Sequence, residues 1–522
     1  MVAVDKPPCI AVVGAGIAGL AAATRLARAG AQVIVYEANP YVGGRAHCGG
    51  ETTFDHDGRS WTFRLEHGIH GIWRQYRNLR RLLDEVGKGD QLVDVGGQEF
   101  VAPDVTGRFG AWDFASAVRG SPLPSAMANL AIFTVGDFGV QALIDRPTKW
   151  LPAAADLTHA FAFDAATDIR EYDDVSVAEY ISGWPRLLQR LSGAITHSAF
   201  FREPEEVSLA AYMTGLQGYF VSDKRDTAFD VLTTDTGRDL LDPMCRAIEA
   251  AGGDVRLGEP VTKIAFRGAK DARISSKPRG KRVRTKVVDG VVLALDPPGL
   301  AKVTDGGPLQ DALSDRRIPR GVASTVVRVW FTSTPSPSRA QTGVLHGLAA
   351  DNFFWLHRLQ PRFARWTDAT GGGVIECHLY GDRATEAQVM SDGAIASRTV
   401  AVCEHAWPEL RGSAVHAHVQ RNAPTHVAFA PGVMSRLPAV ETTIRNVKLC
   451  GDWIACDAPI LYMERAVITA LLAAKSIAGE VGLDASKVPD PLPAHPPARS
   501  IDAFRQVFRA MRSRGWLPDA AA

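Results

Sequence analysis

The chain has 522 residues and is 46% apolar, more than one core needs, so two closely joined domains are expected. Its 58 basic and 57 acidic residues leave a net charge of +1, which argues against nucleic acid as a main partner. Seven cysteines, an odd number with no CxxC pair, read as reduced thiols of a cytosolic protein, and no cluster has the spacing of metal ligands.

The first apolar run, Cys9 to Val13, reads as a buried parallel strand and leads directly into Gly14, Gly16 and Gly19. Asp5, Lys6 and two prolines precede it, so it is not the apolar core of a signal peptide. In this context the glycines act separately. Gly14 turns the chain, Gly16 lets a pyrophosphate approach the backbone, and Gly19 lets helix pack on strand. An alanine-rich helix, Ile17 to Ala29, follows and Gly30 caps it. Its N-terminus, at Ile17 and Ala18, offers unpaired N–H groups and a positive dipole end to the phosphates. A second strand, Gln32 to Tyr36, ends at Glu37 and Ala38, where a carboxylate reaches ribose hydroxyls and repels a 2′-phosphate. These features predict a bound dinucleotide other than NADP.

Gly43-Gly44-Arg45-Ala46 then resembles the GGRA-type extension of the flavin amine oxidase and phytoene desaturase superfamily. The resemblance implies FAD as cofactor, with Arg45 along its pyrophosphate and ribityl chain. A guanidinium fork beside two glycines suits a phosphate diester. The stretch Leu65 to Gly87 carries Gly68, His70, Trp73, Tyr76, Asn78 and Leu79, and resembles the carotenoid desaturases and related methyl-shifting ring enzymes, closest to aromatic-carotenoid synthases of the isorenieratene type. Within it, Asn78 to Val86 has the apolar spacing of a helix face. Further on, Ser121 to Gly136 and Phe138 to Ile144 form a region broken only by Asp137, read as buried short helices or a lipid-dipping entrance.

A helix from Leu240 to Ala251, Gly252-Gly253, strands at Asp254 to Leu257 and Val261 to Phe266, and an apolar strand Val287 to Leu295 resemble the middle FAD segment of the same superfamily, where the backbone at Val261 meets the adenine. Between the last two strands, Arg267 to Lys286 holds nine Lys or Arg and one acid, a solvated hairpin tip or a contact for anionic lipid. Thr325 to Phe331 and Val374 to Leu379 alternate as strands of a mixed sheet. Near the end, strand Val447 to Cys450, Gly451-Asp452-Trp453 and a helix from Tyr462 to Glu480 complete the resemblance. It places the Asp452 carboxylate beside the ribityl or phosphate groups and the helix start, Met463-Glu464-Arg465-Ala466, at the pyrimidine edge of the flavin, where a helix dipole stabilises the reduced ring. A Pro-rich linker, Val488 to Pro497, precedes a basic amphipathic helix, Ile501 to Arg514, suited either to a membrane interface or to docking on the protein itself.

The fold class expected is α/β: a discontinuous Rossmann-like FAD-binding domain (1–75, 229–300 and 426–487), a mixed α+β substrate domain (76–228 and 301–425) and a tail (488–522). Cofactor contacts are expected at Gly14, Gly16, Ile17, Ala18, Gly19, Glu37, Ala38, Gly43, Gly44, Arg45, Gly68, Ile69, Val261, Gly451, Asp452 and Met463. Candidate catalytic groups are His67 and His70, as proton carriers or as groups that orient the isoalloxazine, and Glu66 and Glu464 as stabilisers of an allylic cation. No metal is expected. The leading function is oxidation of a hydrophobic polyene by hydride transfer to flavin N5, with or without isomerisation or methyl shift. Two others compete: a flavin amine oxidase, with Trp453 and Tyr462 as its aromatic cage, and a non-enzymatic lipid-binding protein like the prenyl-GTPase dissociation inhibitors. Location is expected in the cytoplasm, at the inner face of the membrane if the tail anchors there, and no uncharged apolar stretch reaches the roughly 18 to 20 residues that span a bilayer.

Overall fold

A computed structural model describes residues 6–103, 109–122, 162–220, 228–267, 271–304 and 307–494, with scattered positions between 153 and 160 and between 506 and 514. Most of the uncharged stretch 121–144 and of the C-terminal segment 501–522 therefore lies outside the described residues.

Five short parallel strands form the first sheet, in the order Asp254–Arg256, Gln32–Tyr36, Cys9–Val13, Gly290–Leu293, Val447–Leu449. At its centre Cys9–Val13 and Gly290–Leu293 are apolar and buried along their whole length, as a sheet covered on both faces requires. Helix Ile17–Arg28 packs on it beside Asp242–Ala250 and Tyr462–Glu480. The nineteen-residue helix Tyr462–Glu480 is buried over most of its length, which explains its alanine-rich composition.

The stretch Val287 to Leu295, read from sequence as one strand, is divided in two. Arg284–Val288 belongs to a three-stranded antiparallel sheet with Val261–Arg267 and Asp271–Ser276, and Gly290–Leu293 to the parallel sheet. Asp289 makes the break: its N–H donates to the Cys9 carbonyl (2.8 Å) while its carboxylate accepts from the Cys9 N–H (2.7 Å). The described part of the basic run thus contributes to two strands, with Arg273 and Arg284 exposed on them and Lys277, Arg279, Lys281 and Arg282 exposed on the connection between.

A seven-stranded sheet lies opposite, ordered Ala414–Val427, Gly321–Phe331, Val374–Leu379, Asn352–Trp355, Thr342–Leu345, Gln98–Pro103, Phe109–Asp113. Helix Asp392–Ala406 covers one face through a second core containing Val327, Phe353, Ile375 and Trp407. The other face looks toward the site described next. No described helix is long and apolar enough to cross a membrane.

Candidate functional site

One cavity of about 1370 Å³ runs from the carboxyl ends of the parallel strands to the seven-stranded sheet. It exceeds the roughly 300 to 1,000 Å³ of a single small-molecule site, so cofactor and substrate can share it. Gly14, Gly16, Ile17, Ala18, Glu37, Ala38, Gly43, Gly44, Arg45, Gly68, Ile69, Val261, Gly451, Asp452 and Met463 all line it, as do His67 and His70. Gly19, Glu66 and Glu464 do not.

At the first strand the backbone explains the glycines. Gly14 has φ 102°, and a Cβ there would sit 2.3 Å from the Ala294 carbonyl oxygen. A Cβ on Gly19 would come within 1.9 Å of the Gly14 oxygen, so Gly19 serves helix packing behind the wall. A Cβ on Gly16 would meet nothing within 4 Å. That open space, beside helical N–H groups with no intrahelical acceptor, is a cradle for phosphate. Glu37 is fixed by accepting from the Ala15 N–H (2.8 Å) and from both nitrogens of Asn39 (2.9 Å each). The Gly43 N–H donates to the Ala15 carbonyl (2.7 Å), tying the second glycine loop to the first. Arg45 then forks onto Asp452 at 2.8 and 2.6 Å, which joins residues 407 apart in sequence.

The two candidate glutamates are structural. Glu66 accepts from the N–H and hydroxyl of Thr236 (3.0 and 2.9 Å), from Gln360 (3.1 Å) and from Arg362 (2.8 Å). Burial alone would raise its pKa, but His70, Arg362 and Thr236 hold the carboxyl well below the usual range. Glu464 turns away from the cavity to cap helix Arg77–Glu85, accepting from the Asn78 N–H and side-chain amide (2.8 Å each) and from the Leu79 N–H (2.9 Å). Neither lines the cavity, and backbone, amide, hydroxyl and guanidinium donors use their oxygens.

His67 and His70 remain on the wall. His70 Nε2 lies 3.1 Å from the Arg45 carbonyl. The His67 carbonyl accepts from Gln420 and Asn422 (3.0 Å each), and its ring stands 5.5 Å from that of His426. Burial, with His70 and Arg45 nearby, pushes His67 down to about 3, so its imidazole is neutral. Sequence reasoning missed the side chains facing these from the seven-stranded sheet: His378, Tyr380 and His426 line the same cavity. Their signal was present, since Glu376, His378 and Tyr380 fall at every second position of the otherwise apolar run Val374 to Tyr380. Two of the four described non-glycine residues with positive φ, Phe201 (61°) and Tyr462 (58°), also stand on this wall.

Residues 17–478 match the family described as flavin containing amine oxidoreductase. The chain belongs to this family. Carotenoid phi-ring synthase of Streptomyces griseus is 28% identical over 481 residues, spanning 90% of this chain and 87% of the relative. The probable zeta-carotene desaturase of Synechococcus elongatus is 24% identical over 492 residues, spanning 90% and 98%. Among solved structures, putrescine oxidase bound to putrescine superposes with a TM-score of 0.64 at 18% identity over 91% of this chain and 99% of its own. Cyclohexylamine oxidase from Brevibacterium oxydans reaches 0.63 at 17%, over 91% and 100%. These likenesses show the two-domain FAD-binding fold.

As a member of the family, this chain is an FAD-dependent oxidoreductase, and its site fits that cofactor through the open face of Gly16 and the Glu37 carboxylate held beside it on the cavity wall. The aromatic cage read from sequence is not assembled: Trp453 is buried with its indole N–H on the Leu295 carbonyl (3.0 Å), and only Tyr462 reaches the wall. Among the described residues no group of His, Cys, Asp or Glu could hold a metal ion.

Proposed function

We propose that this oxidoreductase desaturates a hydrophobic polyene of the carotenoid class. The observation that carries the reading is the wall beyond Arg45. Most of it is apolar and aromatic, with Trp73, Tyr219, Phe229 and Phe354 among its residues. The three described carboxylates on the cavity each have partners: Glu37 with Ala15 and Asn39, Asp452 with Arg45, and Asp296 with the Gly299 N–H (2.9 Å). A cationic amine would thus be desolvated without a counter-charge, which costs several kcal/mol, whereas a polyene loses nothing. The curated relatives named for carotenoid ring synthesis and desaturation support the same reading.

In this assignment the Gly14, Gly16 and Gly44 backbone and the Ile17 helix end hold the pyrophosphate, Glu37 the ribose, Val261 the adenine side and Arg45 with Asp452 the ribityl chain. Bound FAD supplies a two-electron oxidant for a C–H bond. The chain's own part is to exclude water with aromatic rings and to keep the neutral imidazoles of His67 and His426 beside the polyene. Expression in cells accumulating lycopene, β-carotene or ζ-carotene, followed by pigment chromatography, tests the reading. A product with a longer chromophore or an aromatised ring is expected from at least one host. A flavin-replete protein that changes no pigment but is reduced by putrescine or cyclohexylamine would make it an amine oxidase.

A further inference from the structure

The strand Val374–Leu379 is buried along its whole length, yet it and the next residue place three polar side chains on one face, Glu376, His378 and Tyr380. They are bonded in series. The Glu376 carboxylate accepts from the Ile69 N–H (2.7 Å) and pairs with Arg328 Nε (2.7 Å). Arg328 is anchored in turn on the Glu66 carbonyl (2.7 Å) and Gln420 (3.0 Å). Burial opposes the charge of Glu376, but Arg328 and His378 prevail and hold it down to about 2, so it is ionised.

An ionised carboxylate only accepts, so His378 Nε2, 2.7 Å away, carries a proton toward it. In the neutral ring Nδ1 is then the acceptor, and at 2.6 Å it receives the Tyr380 hydroxyl. That hydroxyl keeps lone pairs free to take a proton from the cavity. The Tyr380 N–H donates to Asp351 (2.7 Å), and its ring packs 4.3 Å from Phe201. The backbone at Gly68 lies against His378, where a Cβ would stand 3.3 Å from Cε1. The series therefore runs beside the segment His67 to His70. Of the other imidazoles at this end, His70 has Glu66 4.0 Å from its Nδ1, but its Nε2 is turned to the Arg45 carbonyl, 3.1 Å away. His67 and His426 have no carboxylate among the bonds described for them, and burial pushes both pKa values down.

We propose that Tyr380, with His378 behind it and Glu376 as positioning residue, is the proton acceptor of the oxidation. The inference rests on the polyene reading above. Removing two hydrogens from adjacent carbons breaks two C–H bonds. One hydrogen leaves with its electron pair to FAD, the oxidant. The other leaves as a proton, and its bonding pair becomes the new C=C bond. That proton passes to the Tyr380 oxygen as the phenolic proton moves to His378 Nδ1, giving an imidazolium stabilised by Glu376.

Glu376→Gln would leave Arg328 buried beside a neutral amide, so Tyr380→Phe, which keeps the ring on Phe201, carries the test. The first readout is imidazole NMR of the holoprotein labelled with ¹⁵N-histidine, with His378 assigned by His378→Gln. The expected result is an Nε2–H tautomer whose Nδ1 resonance moves in Tyr380→Phe while that of His67 does not. An Nδ1–H tautomer would reverse the series and overturn the proposal. The second is anaerobic bleaching of the flavin by micellar β-carotene or ζ-carotene. Tyr380→Phe should slow it by about 10²- to 10⁴-fold, the usual worth of a positioned acid or base, with polyene binding unchanged. Bleaching of wild type and Tyr380→Phe at equal rates would refute the relay, whereas a wild-type flavin that no polyene bleaches would refute the substrate reading.

Discussion

At the nucleotide end of the cavity the wall is mostly backbone, supplied by Gly14, Gly16, Gly43 and Gly44 within 31 consecutive positions. At the other end it is side chain, with His67 and His70 meeting His378, Tyr380 and His426 from strands more than 300 residues further along. The first end is shaped by what each residue lacks, the second by what each carries. A substitution at the nucleotide end should therefore act through sterics on folding or cofactor content, and one at the far end through chemistry in a protein that still folds and binds flavin.

The sharpest form of that contrast lies within one turn of helix. Gly19→Val would drive its Cβ into the Gly14 carbonyl, 1.9 Å away, with no flexible atom to yield. We expect little or no folded protein, since overpacking of this kind costs at least about 1 to 3 kcal/mol. Gly16→Val has open space at its Cβ and should melt close to wild type but emerge colourless. Paired thermal melts and flavin-to-protein absorbance ratios measure both. A Gly16→Val protein with full flavin would show that the pyrophosphate lies elsewhere.

Next in size is Arg45→Met. It removes the charge-assisted fork to Asp452 and the guanidinium facing the cavity, interactions worth about 1.5 to 3 kcal/mol when they reach a charged group. The Kd for FAD, from fluorescence titration of the deflavinated protein, should weaken on the order of 10- to 100-fold, and the tautomer of His378 should not change. A change at His378 would mean the two ends are coupled rather than separately built.

How far each end can be read from sequence follows from the same contrast. Gly14, Gly16 and Glu37 lie in one short segment whose steric demands are local, so spacing in context points to a dinucleotide cradle, while Arg45 is reached through resemblance. Asp452 and Met463 come from far along the chain and are reached only through resemblance, because no local rule places them beside Arg45. Glu66 and Glu464 show where reading stops: an acid near an expected flavin is equally consistent with a cavity group and with a buried cap. Only the donors at Thr236, Arg362, Asn78 and Leu79 decide, and they depend on packing between distant segments. Tyr380 and His378 were hidden for a related reason. A polar alternation in a strand marks a face, but it does not say what that face meets.

The two structural glutamates give a smaller effect of opposite sign. Glu66 has a folded pKa below its unfolded value of about 4.3, so its contribution to stability is present above that pH and is lost as pH falls through the folded value. Burial raises Glu464 instead, so its ionisation favours unfolding and its contribution declines as pH rises through the folded value. Urea melts between pH 3 and pH 8 should show Glu66→Gln flattening the acid limb below about pH 4. Glu464→Gln loses one acceptor for the cap and should cost about 1 kcal/mol, while removing a decline that begins as pH rises past the unfolded value of about 4.3. Parallel acid limbs for wild type and Glu66→Gln would return Glu66 to the groups that titrate freely.

The smallest effect is expected far from both ends, in the tail. Residues 490–493 are docked on helix Arg77–Glu85: the Leu492 N–H donates to Asn78 Oδ1 (2.7 Å), Arg77 to the Pro493 carbonyl (2.7 Å) and Arg81 to the Asp490 carbonyl (3.2 Å). Asn78 is also the residue held by Glu464, so this docking braces the helix that Glu464 caps. A deletion meant to test membrane contact must spare it and begin after Ala494. Such a protein should keep its flavin and melt within about 0.5 kcal/mol of the full chain. If the basic apolar pattern of Phe504, Arg505, Phe508 and Arg509 serves an interface, sedimentation with vesicles containing anionic lipid should fall on truncation, and more steeply at low ionic strength, where attraction between Arg and headgroups is least screened. Unchanged sedimentation would move the membrane contact to the exposed cations between Lys277 and Lys286, which the truncated protein retains.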